Sequence, residues 1–243
     1  MKKLLKLTIA TSLIIVSNSA ISQTKTTGES TARFGVKAGV NLSKYSGKNS
    51  YDYSPSADYA NNIGFNFTAY GDFGISKNFF IEPGISLQNK GSKLKANEDL
   101  FYGFESFKFK QTVFTIEIPV NAVWRIPTGS AGDFQLSAGP YIGFNIAGRN
   151  KLEGNFVAGP TVDYPALKFV TNTKDIDFGD SNDDDLKTID FGINAGLTYR
   201  LNNGFLLSGN YGWGLTNLVP DNKRDGDDKL ENRVLSFSVG YSF

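Results

Sequence analysis

Large apolar and small or polar side chains alternate with a period of two in eight stretches of this chain. The last of them reads Leu235, Phe237, Val239, Tyr241, Phe243 on one face and Ser236, Ser238, Gly240, Ser242 on the other. The first sets Phe34, Val36, Ala38, Val40 and Leu42 against Gly35, Lys37, Gly39 and Asn41. Between them the same rhythm carries Ile63 to Phe73, Phe79 to Leu87, Phe114 to Trp124, Phe134 to Ile146, Ile189 to Tyr199 and Phe205 to Leu215. Because successive side chains of a strand point to opposite faces, each stretch predicts a strand with an oily surface on one side and a polar one on the other.

A soluble sandwich produces the same alternation, so the connections decide. Three pairs of strands are joined by short turns, at residues 76–78, 127–132 and 202–204, and the other connections are long and polar. Strict alternation of short and long links predicts an up-and-down membrane barrel, with turns at the periplasmic end and loops outside. The expected fold is therefore all-β, an eight-stranded antiparallel up-and-down transmembrane barrel. Ten strands are the alternative, because Leu167 and Phe169 with Ile176 and Phe178 suggest an additional hairpin in the long third loop, 149–187. Polar residues 172–175 interrupt that hairpin, which favours eight.

The chain begins with Lys2, Lys3 and Lys6 ahead of an apolar run from Leu7 to Val16 and small residues at Ala20 and Ser22. This reads as a secretory signal peptide over residues 1–22, since the apolar run is shorter than the roughly 20 residues a membrane helix needs. Residues 23–32 then form a short periplasmic segment and 33–243 the barrel. Removing the three lysines takes 25 basic residues to 22 against 24 acidic ones, a net charge of −2. No basic field remains to attract nucleic acid. With no cysteine and no histidine, thiolate and imidazole catalysis are excluded, as are the usual zinc and haem sites. No cofactor is expected, and no enzymatic activity.

Tyrosine and tryptophan near strand ends (Trp124, Tyr199, Trp213, Tyr241) fit the aromatic belts at a membrane surface. Charges on the inner face need partners. Lys37 and Glu82 lie low on the first and third strands, Asp72 and Arg125 low on the second and fourth, which predicts a paired network in the lumen near its periplasmic end. A functional alternative makes Glu82 and Glu117 an acid and base pair, which requires a cleft open to substrate.

Four motifs, Glu117-Ile118-Pro119-Val120, residues 138–143 (AGPYIG), residues 211–217 (YGWGLTN) and Asn232-Arg233-Val234 running into residues 238–241, carry a resemblance over the whole chain from Phe34 onward. The chain resembles the outer-membrane β-barrel domain proteins typified by PorT, common in Bacteroidota. The resemblance implies residence in outer-membrane lipid and insertion by the barrel-assembly machinery, with Phe237, Val239, Tyr241 and Phe243 as the C-terminal signal. It carries over no catalytic residue, and by analogy with PorT points to protein export.

The remaining individuality lies in the loops. Loop one (46–61) is rich in tyrosine and aspartate, with Tyr51, Asp52, Tyr53, Asp58 and Tyr59; loop two (90–109) mixes lysines with Phe101, Tyr102 and Phe104. Such surfaces suit an envelope or surface partner. Asp180, Asp183, Asp184 and Asp185, and Asp221, Asp225, Asp227 and Asp228 around Gly226, invite a calcium reading. The second run carries Lys223 and Asn232 where ligands belong, so solvated loop tips are expected. The leading function is a non-enzymatic envelope barrel acting through loops or turns. The alternative is a narrow channel for small solutes.

Overall fold

The structure is a computed structural model that describes residues 32–47, 58–97, 104–158, 166–224 and 226–243. The leader over 1–22, the segment that follows it up to residue 31, and Tyr51, Asp52, Tyr53, Phe101 and Tyr102 of the loops lie outside those residues. Among the described residues nine strands form: β1 (Arg33–Ser46), β2 (Asp58–Gly74), β3 (Phe79–Asn97), β4 (Phe104–Pro127), β5 (Gly132–Ala158), β6 (Ala166–Asp175), β7 (Ile189–Leu201), β8 (Phe205–Gly214) and β9 (Glu231–Ser242).

Eight of them close a ring. Each pairs antiparallel with its neighbours in the order β1-β2-β3-β4-β5-β7-β8-β9, and β1 returns to β9 with Val40 opposite Phe237. Gly39 allows this last seam to close tightly, since a Cβ there would lie 1.9 Å from the Phe237 carbonyl oxygen. β6 stands outside the ring. Among the described residues it pairs only with the upper part of β5, Arg149 opposite Asp175 through Ala158 opposite Ala166, while the lower part of β5 pairs with β7.

The ten-strand alternative therefore does not describe the wall. The extra hairpin exists, but β5 itself supplies its first strand. Ile176 and Phe178 lie beyond β6: Ile176 donates its N–H to the Gly148 carbonyl at 3.0 Å, and Phe178 bridges to Leu186. β3, β4 and β5 also run well past the stretches of alternating apolar residues, so much of the second loop is strand. The sequence signal ends earlier because the lipid that enforces it ends there.

The oily face of every wall strand points outward. Ile63, Ile85, Ile146, Leu197, Leu207 and Val239 are each half or more exposed to the surroundings, which in a soluble protein would be a severe liability and in a bilayer is the driving force for insertion. On β8 the outward row runs over residues 205–215. At about 3.3 Å per residue and a tilt of about 40° it spans about 25 Å of bilayer, the height of an outer-membrane hydrocarbon band. Aromatic rings gather where strands meet the short turns, with Phe134 and Tyr199 centred 4.7 Å apart, Phe205 and Tyr241 5.2 Å, and Phe79 stacked on Trp124 at 6.3 Å.

The turns are tight. Thr128 bonds the Gly132 carbonyl through both its N–H (2.9 Å) and its hydroxyl (2.8 Å). Gly204 takes φ +92° with the Ser242 carbonyl 2.5 Å from where a Cβ would stand, so glycine alone fits there. These turns and the last residues of β9 share one end of the barrel, the periplasmic one.

Candidate functional site

With eight strands the interior is about as wide as the side chains that fill it, and the lumen is packed in layers. At the periplasmic end Arg125 pairs with Asp72 and lies 3.7 Å over the Phe80 ring. Beside it Arg200 reaches Asp133 at 2.6 Å, and Asp133 also accepts from Gln135 at 2.7 Å. One step further in, Lys37 bonds Glu82 at 2.9 Å and sits 4.3 Å over the Tyr70 ring. The four inner-face charges singled out in the sequence thus resolve into two pairs, Lys37 with Glu82 and Arg125 with Asp72.

Above these lies a small polar chamber of about 70 Å³, room for only a few water molecules. Short side chains reach across its wall: Asn66 donates to Asn41 at 2.8 Å, Ser236 to Asn41 at 2.8 Å, Ser238 to Asn66 at 2.8 Å, and Asn41 to Gln88 at 2.8 Å. The next layer is ionic again. Lys90 is buried between Glu117 and Asp190, at 3.0 Å from the latter, and Asn232 donates to the same aspartate at 2.8 Å.

A buried apolar cluster of Tyr45, Val113, Ile176, Leu186 and Leu218 closes the top, with Tyr59, Phe178 and Leu230 packed against it. This cap is not built by the wall alone. The β6–β7 link delivers Ile176 and Leu186, and the β8–β9 link delivers Leu218, which is 1% exposed.

The acidic runs hold these two links together. Lys187 bonds Asp221 at 2.7 Å and lies 3.8 Å from Asp180, whose carboxylate accepts the Asp221 N–H at 2.5 Å. Lys174 bonds Asp185 at 3.3 Å, and Arg224 pairs with Asp221. The Lys187 ammonium holds the Asp221 carboxyl below its ordinary range, and the Asp185 bond holds Lys174 above its own. Among the described residues no group of three or more acids is arranged to hold a metal ion. Lys174, Lys187 and Arg224 supply the positive charge beside Asp185, Asp180 and Asp221.

Glu82 and Glu117 do not meet. On the β3–β4 ladder Glu82 faces Asn121 and Glu117 faces Ser86, four residues apart along β4 and so about 13 Å. Each carboxylate has its own lysine, which leaves no acid and base pair.

The sequence reading missed four members of this packing. Lys90 fell in what looked like a loop. Asp190 stood alone on the inner face of its strand, which was itself a signal, since a lone inward acid requires a partner. Asp133 and Arg200 flank two different short turns and were passed over as turn residues.

A closed ring of eight strands, oily outside and filled with paired charges inside, defines a membrane-embedded barrel protein. The sequence profile described as "Outer membrane protein beta-barrel domain" matches residues 21–219, so the chain belongs to that family and resides in the outer membrane. Among curated proteins none matches it in sequence. Similar solved structures include Ail of Yersinia pestis in complex with the heparin analogue sucrose octasulfate (11% identity, 87% of this chain and 99% of that one covered, TM-score 0.40). Neisserial surface protein A is 15% identical over 88% and 99% of the two chains, with a TM-score of 0.37. OprG from Pseudomonas aeruginosa is 11% identical over 89% and 98%, with a TM-score of 0.35. None of these likenesses bears on ligand or activity.

Proposed function

We propose that this barrel is closed to solutes and serves the envelope, without catalysis, through the parts that project beyond the bilayer: its extracellular strands and loops or its periplasmic turns. The observation that carries this reading is the filled lumen, in which two ionic layers and an apolar cap leave a chamber of about 70 Å³. Glu82 and Glu117 both line that chamber, but each is paired with its own lysine and the chamber holds only a few waters, which argues against an acid and base site. Refolded protein in a planar lipid bilayer should give no stepwise current. Reproducible conductance steps would replace this reading with the narrow-channel one.

The finer reading is a part in protein export, which rests on the resemblance to PorT alone. Crosslinking in the native membrane followed by purification separates the cases. Recovery of a periplasmic export component supports an export role, and recovery of a surface or envelope partner supports a role carried by the loops. Phe237, Val239, Tyr241 and Phe243 all face outward, from 37% to 75% exposed, in keeping with a terminal signal read by the assembly machinery. Deleting Phe243 should then lower the amount of folded barrel in the membrane, and unchanged insertion would remove that role.

A further inference from the structure

At the level where the oily band ends, the ladder between β4 and β5 is irregular. Phe114 faces Ala147 and Thr115 faces Asn145, so Ile146 is an extra residue, and it and Ala147 are both exposed in succession. A bulge of this kind bends a strand and re-aims its side chains. Just above it β5 parts from β7 and takes β6 as its partner. The fork leaves an open groove of about 590 Å³, with an apolar floor that includes Phe114, Ile146 and Phe178 and a charged rim of Lys110, Arg149, Lys151 and one acid, Asp175.

The rim belongs to a larger basic row. Lys93, Lys110 and Lys151 stand directly opposite one another on three adjacent strands. Lys108 lies two residues from Lys110 along β4, and Arg149 two from Lys151 along β5. Like charges opposed across a ladder destabilise it. Among the described residues the nearby acids do not balance them: Lys151 pairs with Glu153 and Arg149 with Asp175 at 3.4 Å, two carboxylates against five cations. An anion seated between Lys110 and Lys151 would relieve that repulsion, and a phosphate is suited to the combination of lysine and arginine donors.

We propose that this groove binds a phosphorylated lipid of the outer leaflet, with an acyl chain against Phe114, Ile146 and Phe178 and the phosphate on Lys110, Lys151 and Arg149. Its position fits such a molecule: the floor continues the lipid-facing surface of the wall, and the cations begin where headgroups begin. The site is independent of whether the barrel conducts or which partner its loops meet.

The test is native mass spectrometry of the detergent-refolded protein titrated with dimyristoyl phosphatidic acid, dimyristoyl phosphatidylcholine and inorganic phosphate. The phosphatidic acid should bind about tenfold or more tightly than the zwitterionic lipid, and inorganic phosphate should not displace it. Lys110→Gln with Lys151→Gln should remove about tenfold of that affinity while binding of phosphatidylcholine stays unchanged. Both lysines are exposed or edge the groove, and heat-modifiable electrophoretic mobility reports whether the variant is folded. Ala147→Trp, which fills the groove floor from an exposed position, provides a second and sterically distinct probe and should also weaken phosphatidic acid. Equal binding of the two lipids overturns the proposal, as does an unchanged affinity in both variants. Displacement by inorganic phosphate at comparable concentration overturns it in favour of a plain anion site.

Discussion

The same three strands, β3, β4 and β5, cross two environments, and their side-chain pattern inverts between them. Within the bilayer β4 turns Phe114, Ile116 and Ile118 outward and Thr115, Glu117 and Pro119 inward. Above it the strand turns Lys108, Lys110 and Thr112 outward and Phe109, Gln111 and Val113 inward. The adjacent apolar residues Val113 and Phe114 mark the switch, one closing the lumen and the next meeting lipid. Period two persists throughout because it is a property of the strand. Which face is oily is decided by what lies outside, hydrocarbon below and water above.

The comparison implies that charges inside the wall are costly to disturb and charges on the extension are cheap. The largest effect is expected for Lys90→Met, which leaves Glu117 and Asp190 buried against each other without their cation. Breaking a buried pair from one side costs about 3–5 kcal/mol, to be read from denaturant unfolding in lipid vesicles. A cost below about 1 kcal/mol would mean that the layer is hydrated rather than packed.

Next in size is a reciprocal exchange between the two regions. Leu197→Lys places a charge on the lipid face near the middle of β7 and should cost about 2–4 kcal/mol. Lys110→Leu on the extension should change stability by less than about 1 kcal/mol, because the lost solvation of one surface lysine is offset by relief of its like-charged neighbours. Equal costs would remove the distinction between the regions.

The smallest effect concerns the clamp between the two upper links. Asp221 is held below its ordinary carboxyl range by Lys187, so its contribution is complete above that ordinary range, near pH 4, and is lost as the pH falls through the depressed value. Hydrogen exchange at the residues around Lys187 and Asp221 should accelerate in acid well before the wall strands respond. Simultaneous loss would show that clamp and wall unfold as one unit.

Within the bilayer the fold was legible to a close degree. The rows headed by Phe34, Phe79, Ile189 and Phe205 face outward as their alternation requires, and the short turns fall at 75–78, 128–131 and 202–204. Above the bilayer it was not. Both faces of β3 to β6 mix polar and apolar residues there, so residues 90–109 read as a loop although most of them are strand. The candidate site was half legible. Lys37, Glu82, Asp72 and Arg125 were recognised as inner-face charges in need of partners, while Lys90 and Asp190, one hundred positions apart, gave no sign of each other.

The sequence by itself determined which surface of each wall strand meets lipid and which meets the lumen, because that depends only on neighbours one and two residues away. Tertiary structure alone decided which inner charges meet across the lumen, that β6 stays outside the ring, and that a groove opens at the β5 fork. Those outcomes depend on strand stagger and closure, which bring together residues far apart in the chain and are written in no single stretch of it.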